Sequence, residues 1–194
     1  MRSRAFLLKA SEGRTAPDFS LKSLAGSPGR MDLIARCLIA SLNRPEGIRG
    51  DTLFTVVLEG APNPPVSMRF DGGKMGNMPA GEVEAARLIY DVLSQQTVAG
   101  ISMERRSFER SVTDCRNDGG YSLFYLHEQG EDSRGMKFGE RPLFILGDQK
   151  GLDPRSEKLL DDLGAKRISL GPFSYLASHC ITVVNNELDM AGWC

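Results

Sequence analysis

The chain has 194 residues with a formal net charge of −1, and 41% of them are apolar and 25% charged. This length and composition suit one globular domain with its own hydrophobic core. No apolar run approaches the roughly 18 residues of a membrane span, and the amino terminus lacks the apolar stretch of a signal peptide. The sequence therefore predicts a cytoplasmic protein with no membrane segment.

The cysteines and histidines are too few and too scattered for a metal site or a disulfide framework. Four cysteines show no paired spacing, and only two histidines accompany them. Reduced thiols and no zinc are expected.

Charge is distributed unevenly along the chain. Residues 1–50 hold nine Lys and Arg against four acids, which leaves 15 basic and 21 acidic residues in the remainder. This asymmetry is typical of a protein in which one face meets a phosphate backbone. Solvated charges with no partner are the alternative interpretation.

The amino-terminal part predicts strands alternating with helices. Residues 5–9 form an opening strand, and a helix follows over Met31–Leu42 with an acid in its first turn. Thr52–Leu58 is almost wholly β-branched and aliphatic, which predicts a buried strand. Three prolines and a glycine in residues 59–65 require a loop there.

The middle of the chain predicts a similar alternation. Residues 66–70 are expected to form a short strand, Glu82–Leu93 an amphipathic helix, and residues 107–116 a further helix. Residues 121–126 predict a strand, and the polar segment 129–135 predicts a turn.

Two short apolar runs near the carboxyl terminus end in glycine loops. Residues 143–146 lead into Gly147, residues 167–170 lead into Gly171, and an amphipathic helix is predicted between them over 153–163. A strand, a helix and a second strand in this order place both loops at the carboxyl ends of adjacent parallel strands. Open α/β sheets bind ligands at that edge.

The residues alone leave the type of chemistry open. The first strand is followed by no Gly-x-Gly-x-x-Gly, and there is no Walker loop, serine nucleophile elbow or metal cluster. These patterns predict an α/β protein that binds a nucleotide-like ligand at its carboxyl end.

Several longer motifs carry a family resemblance. They are Leu-Gly-Asp-x-x-Gly-Leu at 146–152, Lys-Arg-Ile-Ser-Leu-Gly-Pro at 166–172, Ala-Ser-His-Cys-Ile at 177–181 and Asn-Glu-Leu-Asp at 186–189. The amino-terminal half adds the segment 19–32 and Pro-Asn-Pro-Pro at 62–65. Together they resemble the archaeal tRNA pseudouridine-54 N1-methyltransferases, which are enzymes of the SPOUT class.

The resemblance implies a fold. It is a single SPOUT methyltransferase domain over residues 1–194, of α/β class, with a mainly parallel sheet, helices on both faces and a carboxyl-terminal trefoil knot. Residues 173–188 would thread that knot. Apolar residues recur every four positions there, at 176, 180, 184 and 188, so the segment is predicted to be helical.

The resemblance also implies S-adenosyl-L-methionine as cofactor. Main-chain groups and loops would hold it, since glycines permit close backbone approach and amides can pair with the adenine edge. By similarity the cofactor-binding positions are Leu126, Gly147, Leu170, Gly171, Pro172, Phe173, Ser174, Tyr175 and Cys180. Plain turn glycines are the alternative for Gly147 and Gly171, and Cys180 is assigned to cofactor binding and not to nucleophilic attack.

The catalytic candidates lie in the Gly-Arg-Met-Asp turn. Arg30 would contact a phosphate or a carbonyl of the flipped base, and Asp32 could accept a proton. A carboxylate in a first helical turn also has a purely structural explanation. Arg69 and Asn63 are weaker candidates for RNA contact.

Two positions depart from the family pattern. Gln149 and Asn185 stand where many members carry histidine, which suggests that these positions orient RNA or pack. His127 and His179 remain as candidate bases, but a lone histidine is more often structural.

The family implies tRNA as substrate and a homodimer with cofactor sites near the subunit interface. A pseudouridine in ribosomal RNA is an alternative acceptor. Two other classes stay open: a non-catalytic RNA-binding factor of the same fold, and a nucleotide-binding metabolic enzyme.

Overall fold

A computed structural model describes residues 3–117 and 119–193 of the chain. Within them the elements run in the order β1 Arg4–Ala10, α1 Met31–Leu42, β2 Asn43–Arg44, β3 Gly47–Ile48, β4 Thr52–Leu58, β5 Val66–Asp71, α2 Glu82–Leu93, β6 Ile101–Glu104, α3 Phe108–Asn117, β7 Ser122–Asp132, β8 Pro142–Gly147, α4 Pro154–Asp162, β9 Lys166–Ser169 and α5 Ala177–Met190. None of these helices is both long and apolar enough to cross a membrane.

Seven strands form one sheet in the order β6-β5-β4-β1-β8-β7-β9. The five strands from β4 to β9 in that order are parallel, while β5 is antiparallel to β4 and β6 is antiparallel to β5. The carboxyl ends of the five parallel strands therefore share one edge. The strands β2 and β3 pair separately as a short ribbon.

Alternation along the strands divides the core into two layers. On β1, Phe6 and Leu8 pack into a cluster that includes α1, α2 and α5. The intervening Ala5 and Leu7 pack into a second cluster with Phe108 of α3 and residues of α4. Successive side chains of a strand point to opposite faces, so the sheet carries helices on both sides and the predicted fold class is confirmed.

The helix α4 begins where the sequence indicated. Asp153 is its N-cap, and its side chain accepts hydrogen bonds from the backbone N–H groups of Arg155 and Ser156, each at 3.1 Å. Pro154 occupies the first turn, where its missing N–H costs nothing. This cap fixes the start of α4 close to the carboxyl edge of the sheet.

Two predictions about the strands are wrong. The strands β8 and β9 are not adjacent, because β7 lies between them and pairs with both. The turn predicted over 129–135 is strand as far as Asp132, with a register shift between Leu126 and Glu131. A bulge leaves residues unpaired and bends the strand, and its polar residues resemble a turn in sequence. Leu126 consequently precedes the bulge and does not end the strand.

The helix predicted over residues 173–188 is confirmed from Ala177 onward and is wrong for residues 173–176, which are loop. Helix α5 follows a loop over residues 170–176, and Ile181, Val184 and Leu188 are buried against the sheet. The threading that would make a trefoil knot stays a prediction.

A buried arginine ties α5 to the start of the sheet. The Arg4 side chain is 1% exposed, and its guanidinium donates to Asp51 Oδ2 (3.0 Å), Asn185 Oδ1 (3.1 Å), Asp189 Oδ1 (2.8 Å) and the Trp193 carbonyl (2.7 Å). Asn185 also donates to the Ala40 carbonyl at 2.9 Å. Asn185 thus packs between helices.

Replacing Arg4 by Met should lower the free energy of unfolding by about 3–5 kcal/mol, because it leaves buried acceptors without their cation. Urea unfolding followed by circular dichroism measures this loss. The matched control is Arg134→Met, which breaks the exposed pair with Asp132 and should cost less than about 1 kcal/mol. Equal losses in the two variants would contradict the anchoring role of Arg4.

Candidate functional site

A cavity of about 850 Å³ opens at the carboxyl edge of the sheet. Its walls are residues 125–129 of β7, the carboxyl-terminal ends of β8 and β9 with the loops that follow them, and the amino-terminal halves of α1 and α5. This size is typical of sites for small molecules and cofactors. The edge is the one that the sequence predicted for a ligand.

Most of the predicted cofactor positions meet at this cavity. Eight of them line it, namely Leu126, Gly147, Leu170, Gly171, Phe173, Ser174, Tyr175 and Cys180. Pro172 belongs to the same loop but is not among the lining residues.

The two loop glycines have different structural roles. A Cβ on Gly147 would lie 2.2 Å from the Gly151 carbonyl carbon, so this glycine lets the loop after β8 fold back on itself. Gly171 has a φ of 144°, and a Cβ added there would meet no atom within 4 Å. Glycine is therefore favoured at this position by the positive φ of the backbone, and not by lack of space for a side chain.

The inner wall is apolar and close to the sheet. Leu146 and Ile168 are buried at the ends of their strands, and the buried Leu33 of α1 also lines the cavity. The Ser169 hydroxyl braces the turn of the loop by donating to the Gly171 carbonyl at 3.0 Å. Apolar walls with main-chain polar groups suit a flat aromatic heterocycle such as adenine.

Arg30 lines the cavity and has a strained backbone conformation. Its φ and ψ are 47° and 44°, a left-handed conformation that only a few non-glycine residues adopt. The side chain is partly exposed at the cavity and donates twice to the Asp32 carboxylate, with both distances 3.0 Å. The fork geometry holds the guanidinium in one orientation.

Asp32 lies behind Arg30 and does not line the cavity. Its side chain is 2% exposed and also accepts from Arg36 at 2.7 Å. Burial acts to raise the pKa of Asp32, but hydrogen bonds from Arg30 and Arg36 outweigh it and lower the pKa to about 2. A carboxylate of such low basicity is suited to holding Arg30 and poorly suited to accepting a proton at neutral pH.

Cys180 is a neutral thiol in this environment. Burial raises its pKa to about 11, and its Sγ lies 3.7 Å from the Tyr175 carbonyl. A protonated thiol is a poor nucleophile, which agrees with the assignment of Cys180 to the cavity wall.

Both histidines also line the cavity. The Nδ1 of His127 accepts from the Gln129 backbone N–H at 3.1 Å, and its Nε2 lies 3.8 Å from Glu157. Sequence reasoning missed Glu157. His179 is exposed at the start of α5.

Arg36 and Gln149 also line the cavity, although neither was predicted as a catalytic or cofactor-binding residue. Arg36 follows Asp32 by four residues, a helical spacing that could have identified the pair in advance. The Gln149 amide donates to Glu12 at 2.8 Å, so it holds two loops together at the mouth.

The basic excess of residues 1–50 is largely consumed by ion pairs. Of the eight basic residues in positions 3–50, six are paired with acids, namely Arg4, Lys9, Arg14, Arg30, Arg36 and Arg49. Lys22 and Arg44 form no ion pair with the part of the chain that the structure describes. The charge asymmetry therefore reflects internal pairing to a greater extent than an open basic face.

Comparison with known sequences identifies a family. A family model described as "Putative SAM-dependent RNA methyltransferase" matches residues 3–193. Proteins named tRNA (pseudouridine(54)-N(1))-methyltransferase are 36% identical in Methanococcus aeolicus (96% of this chain, 97% of that protein), 36% in Methanocaldococcus jannaschii (98% of each) and 37% in Methanocella arvoryzae (96% and 98%).

Solved structures share the fold. Archaeoglobus fulgidus Nep1 bound to S-adenosylhomocysteine matches over 100% of both chains with a TM-score of 0.69 at 14% identity. Ribosomal RNA small subunit methyltransferase E of Neisseria gonorrhoeae, bound to S-adenosyl methionine, matches 98% of this chain and 66% of that one with a TM-score of 0.53 at 8% identity.

The fold is the α/β fold of SPOUT methyltransferases, and the matching family model gives S-adenosylmethionine as the cofactor. The chain belongs to the family of SAM-dependent RNA methyltransferases, which it matches from residue 3 to residue 193.

Replacing Gly171 by Ala should weaken binding of S-adenosylhomocysteine about tenfold, because alanine strains the positive φ by about 1–2 kcal/mol and the loop relaxes at the cavity wall. Isothermal titration calorimetry measures the affinity, and thermal unfolding measures stability. Gly135→Ala is the matched control, with a φ of 82°, free space for a Cβ and a position outside the cavity lining. It should lose similar stability and keep its affinity. Unchanged affinity in Gly171→Ala would make Gly171 a turn residue only.

Proposed function

We propose that this protein transfers a methyl group from S-adenosyl-L-methionine to N1 of the pseudouridine at position 54 in the T-arm of tRNA, in the cytoplasm. The relatives at 36–37% identity carry that activity in their names and match over nearly their whole length. The observation that carries the proposal is the juxtaposition, in one cavity, of the predicted cofactor loops with the Arg30 guanidinium.

The residues of the cavity fit this cofactor. The buried Leu146 and Ile168 offer an apolar surface for adenine, and the glycine loops bring main-chain groups within reach of its edges. When bound, S-adenosylmethionine supplies an electrophilic methyl group on a sulfonium. The protein's task is then to align the acceptor nitrogen and assist loss of one proton.

The acceptor's chemistry explains the choice of base. In uridine N1 carries the glycosidic bond, whereas in pseudouridine the sugar is attached through C5 and N1 bears a proton. Methylation forms the N1–CH₃ bond, breaks the S–CH₃ bond and releases the N1 proton. The base must leave its stack to reach the cavity, at a cost of a few kcal/mol that contacts to the RNA offset.

Arg30 is the acceptor-side group in this proposal. Its planar, permanently charged fork can donate to a base carbonyl or to a phosphate. Asp32 acts through Arg30, since it is buried behind the guanidinium and neutralises part of its charge. Asp32 is therefore a positioning residue, and the N1 proton leaves to a group other than Asp32.

Asp32→Asn should lower kcat about 10- to 100-fold, because Arg30 and Arg36 lose the anion that orients them. The depressed pKa of Asp32 stabilises the fold at pH above its ordinary value of 3.8, and this stabilisation is lost only as pH falls toward about 2. The wild-type pH–rate profile should accordingly show no inflection from Asp32 between pH 5 and 8.

The control is Glu82→Gln, which weakens the outer contact to Arg36 and should change kcat less than about threefold. A rate inflection in the neutral range that disappears in Asp32→Asn would instead make Asp32 the proton acceptor.

Methyl incorporation should depend on the acceptor isomer. Two RNA stem-loops that differ only in pseudouridine or uridine at the target are incubated with enzyme and labelled cofactor, and only the pseudouridine loop should accept methyl. A ribosomal stem-loop with an internal pseudouridine tests the other RNA class. Equal incorporation into the uridine loop would refute N1 as the acceptor, and preference for the ribosomal loop would refute tRNA.

We also propose that two copies of the chain form a dimer along α5. The exposed positions of α5 are His179, Thr182, Asn186 and Met190, which follow one stripe and include no Asp, Glu, Lys or Arg. The helix α4, by contrast, exposes Arg155, Lys158, Asp161 and Asp162. Depletion of charge is typical of the centre of an interface.

The stripe is continuous with the cavity. Leu176, at its amino-terminal end, and His179 both line the cavity, and Phe173 beside them is 71% exposed. A partner subunit on this surface would supply a further wall for the flipped base, which supports a cofactor site near the interface.

Met190→Glu should weaken the dimer at least tenfold by placing a charge in an apolar contact, and multi-angle light scattering with dilution measures this. Met190 is 81% exposed, so the substitution leaves the fold of the subunit intact. Val83→Glu, at an exposed apolar position of α2, is the control and should dimerise normally. A wild-type protein that is monomeric and fully active would refute the dimer.

A further inference from the structure

Two loops lie side by side at the carboxyl edge of the sheet, one carrying cofactor-side residues and the other leading toward Arg30. They follow β1 and β8, which are neighbours in the sheet with Lys9 opposite Gly147. The segment over residues 147–151, which is the last residue of β8 and the loop after it, lines the cavity, while residues 11–14 are the first part of the connection between β1 and α1.

Asp148 joins these loops. Its Oδ2 accepts from the backbone N–H of Ser11 at 2.7 Å and from the Ser11 hydroxyl at 2.6 Å, and its Oδ1 accepts from the Lys150 backbone N–H at 2.9 Å. Its own N–H donates to the Lys9 carbonyl at 3.1 Å. Asp148 is half-buried and lines the cavity. Hydrogen bonds to a carboxylate are about twice as strong as neutral ones, so this joint fixes both loops.

The second loop lies directly against the turn that carries Arg30. A Cβ on Gly29 would lie 2.5 Å from Arg14 Cγ, 2.9 Å from Arg14 N and 3.0 Å from the Glu12 carbonyl oxygen. On its other side a Cβ on Gly60 would lie 2.2 Å from the same Glu12 oxygen. The loop is confined from two directions, so a displacement at Ser11 is passed to Gly29 and to the strained backbone of Arg30.

We propose that Asp148 is a positioning residue that fixes the position of Arg30 relative to the loop over residues 147–151. Asp148 forms no hydrogen bond or ion pair with Arg30, and its charge acts on Arg30 only at a distance. Its positioning effect is transmitted through Ser11, the loop over residues 11–14 and Gly29. Ordering of the 147–151 loop by the cofactor then also orders the acceptor side. The consequence for turnover rests on the proposed methyl transfer, whereas the consequence for the Arg30 turn does not.

Asp148→Asn tests the connection between the two loops. The asparagine side chain has nearly the same shape as aspartate but lacks the negative charge that strengthens the hydrogen bonds from Ser11 and Lys150. In methyl transfer, kcat should fall about tenfold or more while the affinity for S-adenosylhomocysteine changes less than about threefold. Ser11→Ala removes only the hydroxyl and should have a smaller effect in the same direction. The double variant should be no worse than Asp148→Asn alone, since both changes break one joint.

Asp162→Asn is the matched control. It makes the same chemical change in an exposed pair with Lys158 on α4, away from the cavity lining, and should leave kcat and affinity unchanged. If Asp148→Asn fails to fold, Ser11→Ala carries the test.

Hydrogen exchange supplies a readout independent of activity. Adding S-adenosylhomocysteine to the wild type should slow amide exchange at residues 29–34 as well as at 147–151, and in Asp148→Asn the slowing at 29–34 should be lost. If the wild type shows this protection at both segments but transfers no methyl group, the proposed function is refuted and the role of Asp148 in connecting the two loops is still supported. Protection at 29–34 that persists in Asp148→Asn, or an affinity loss as large as the kcat loss, would overturn the joint and leave Asp148 as a wall residue.

Discussion

The buried guanidinium of Arg4 is the interaction on which the carboxyl-terminal part of the fold depends. Taking a cation out of water is costly unless every donor is paired, and here the partners come from the residue before β4, from α5 and from the residues after α5. The same helix begins at the cavity, at the opposite end of its 14 residues. The charge cluster at one edge of the sheet thus fixes the helix whose other end closes the ligand site.

The local pattern of apolar residues was sufficient to predict the bounds of elements that depend on their own sequence alone. The helices α1 and α2 and the strand β4 have the predicted bounds, because their apolar periodicity is long and their ends carry clear breakers. Strand order was less accessible. The position of β7 between β8 and β9 is set by pairing between segments that are distant in sequence. The residues of the bulge after Leu126 are polar, so the sequence gives no sign that the strand continues there. The short edge strand β6 carries too few residues for any period to be visible.

At the site, motif resemblance located the loops but not the electrostatics. Eight of nine expected cofactor positions share a cavity, since a loop motif preserves backbone shape. The ion pairs of Asp32 with Arg30 and Arg36 are local in sequence, but the burial of the Asp32 side chain and the second contact of Arg36, to Glu82 of α2, depend on tertiary packing. The charge asymmetry of the sequence likewise does not reveal which basic residues are already in ion pairs, because partners such as Asp153 and Asp189 lie far away in sequence.

Burial of the thiols lowers their reactivity toward oxidants and alkylating reagents. Burial raises the pKa of Cys180 to about 11, and it also raises the pKa of Cys37 and Cys115. Burial therefore disfavours the thiolate that peroxide and alkylating reagents attack. Cys180 can therefore line the cavity as a neutral thiol that reacts slowly with oxidants and alkylating reagents.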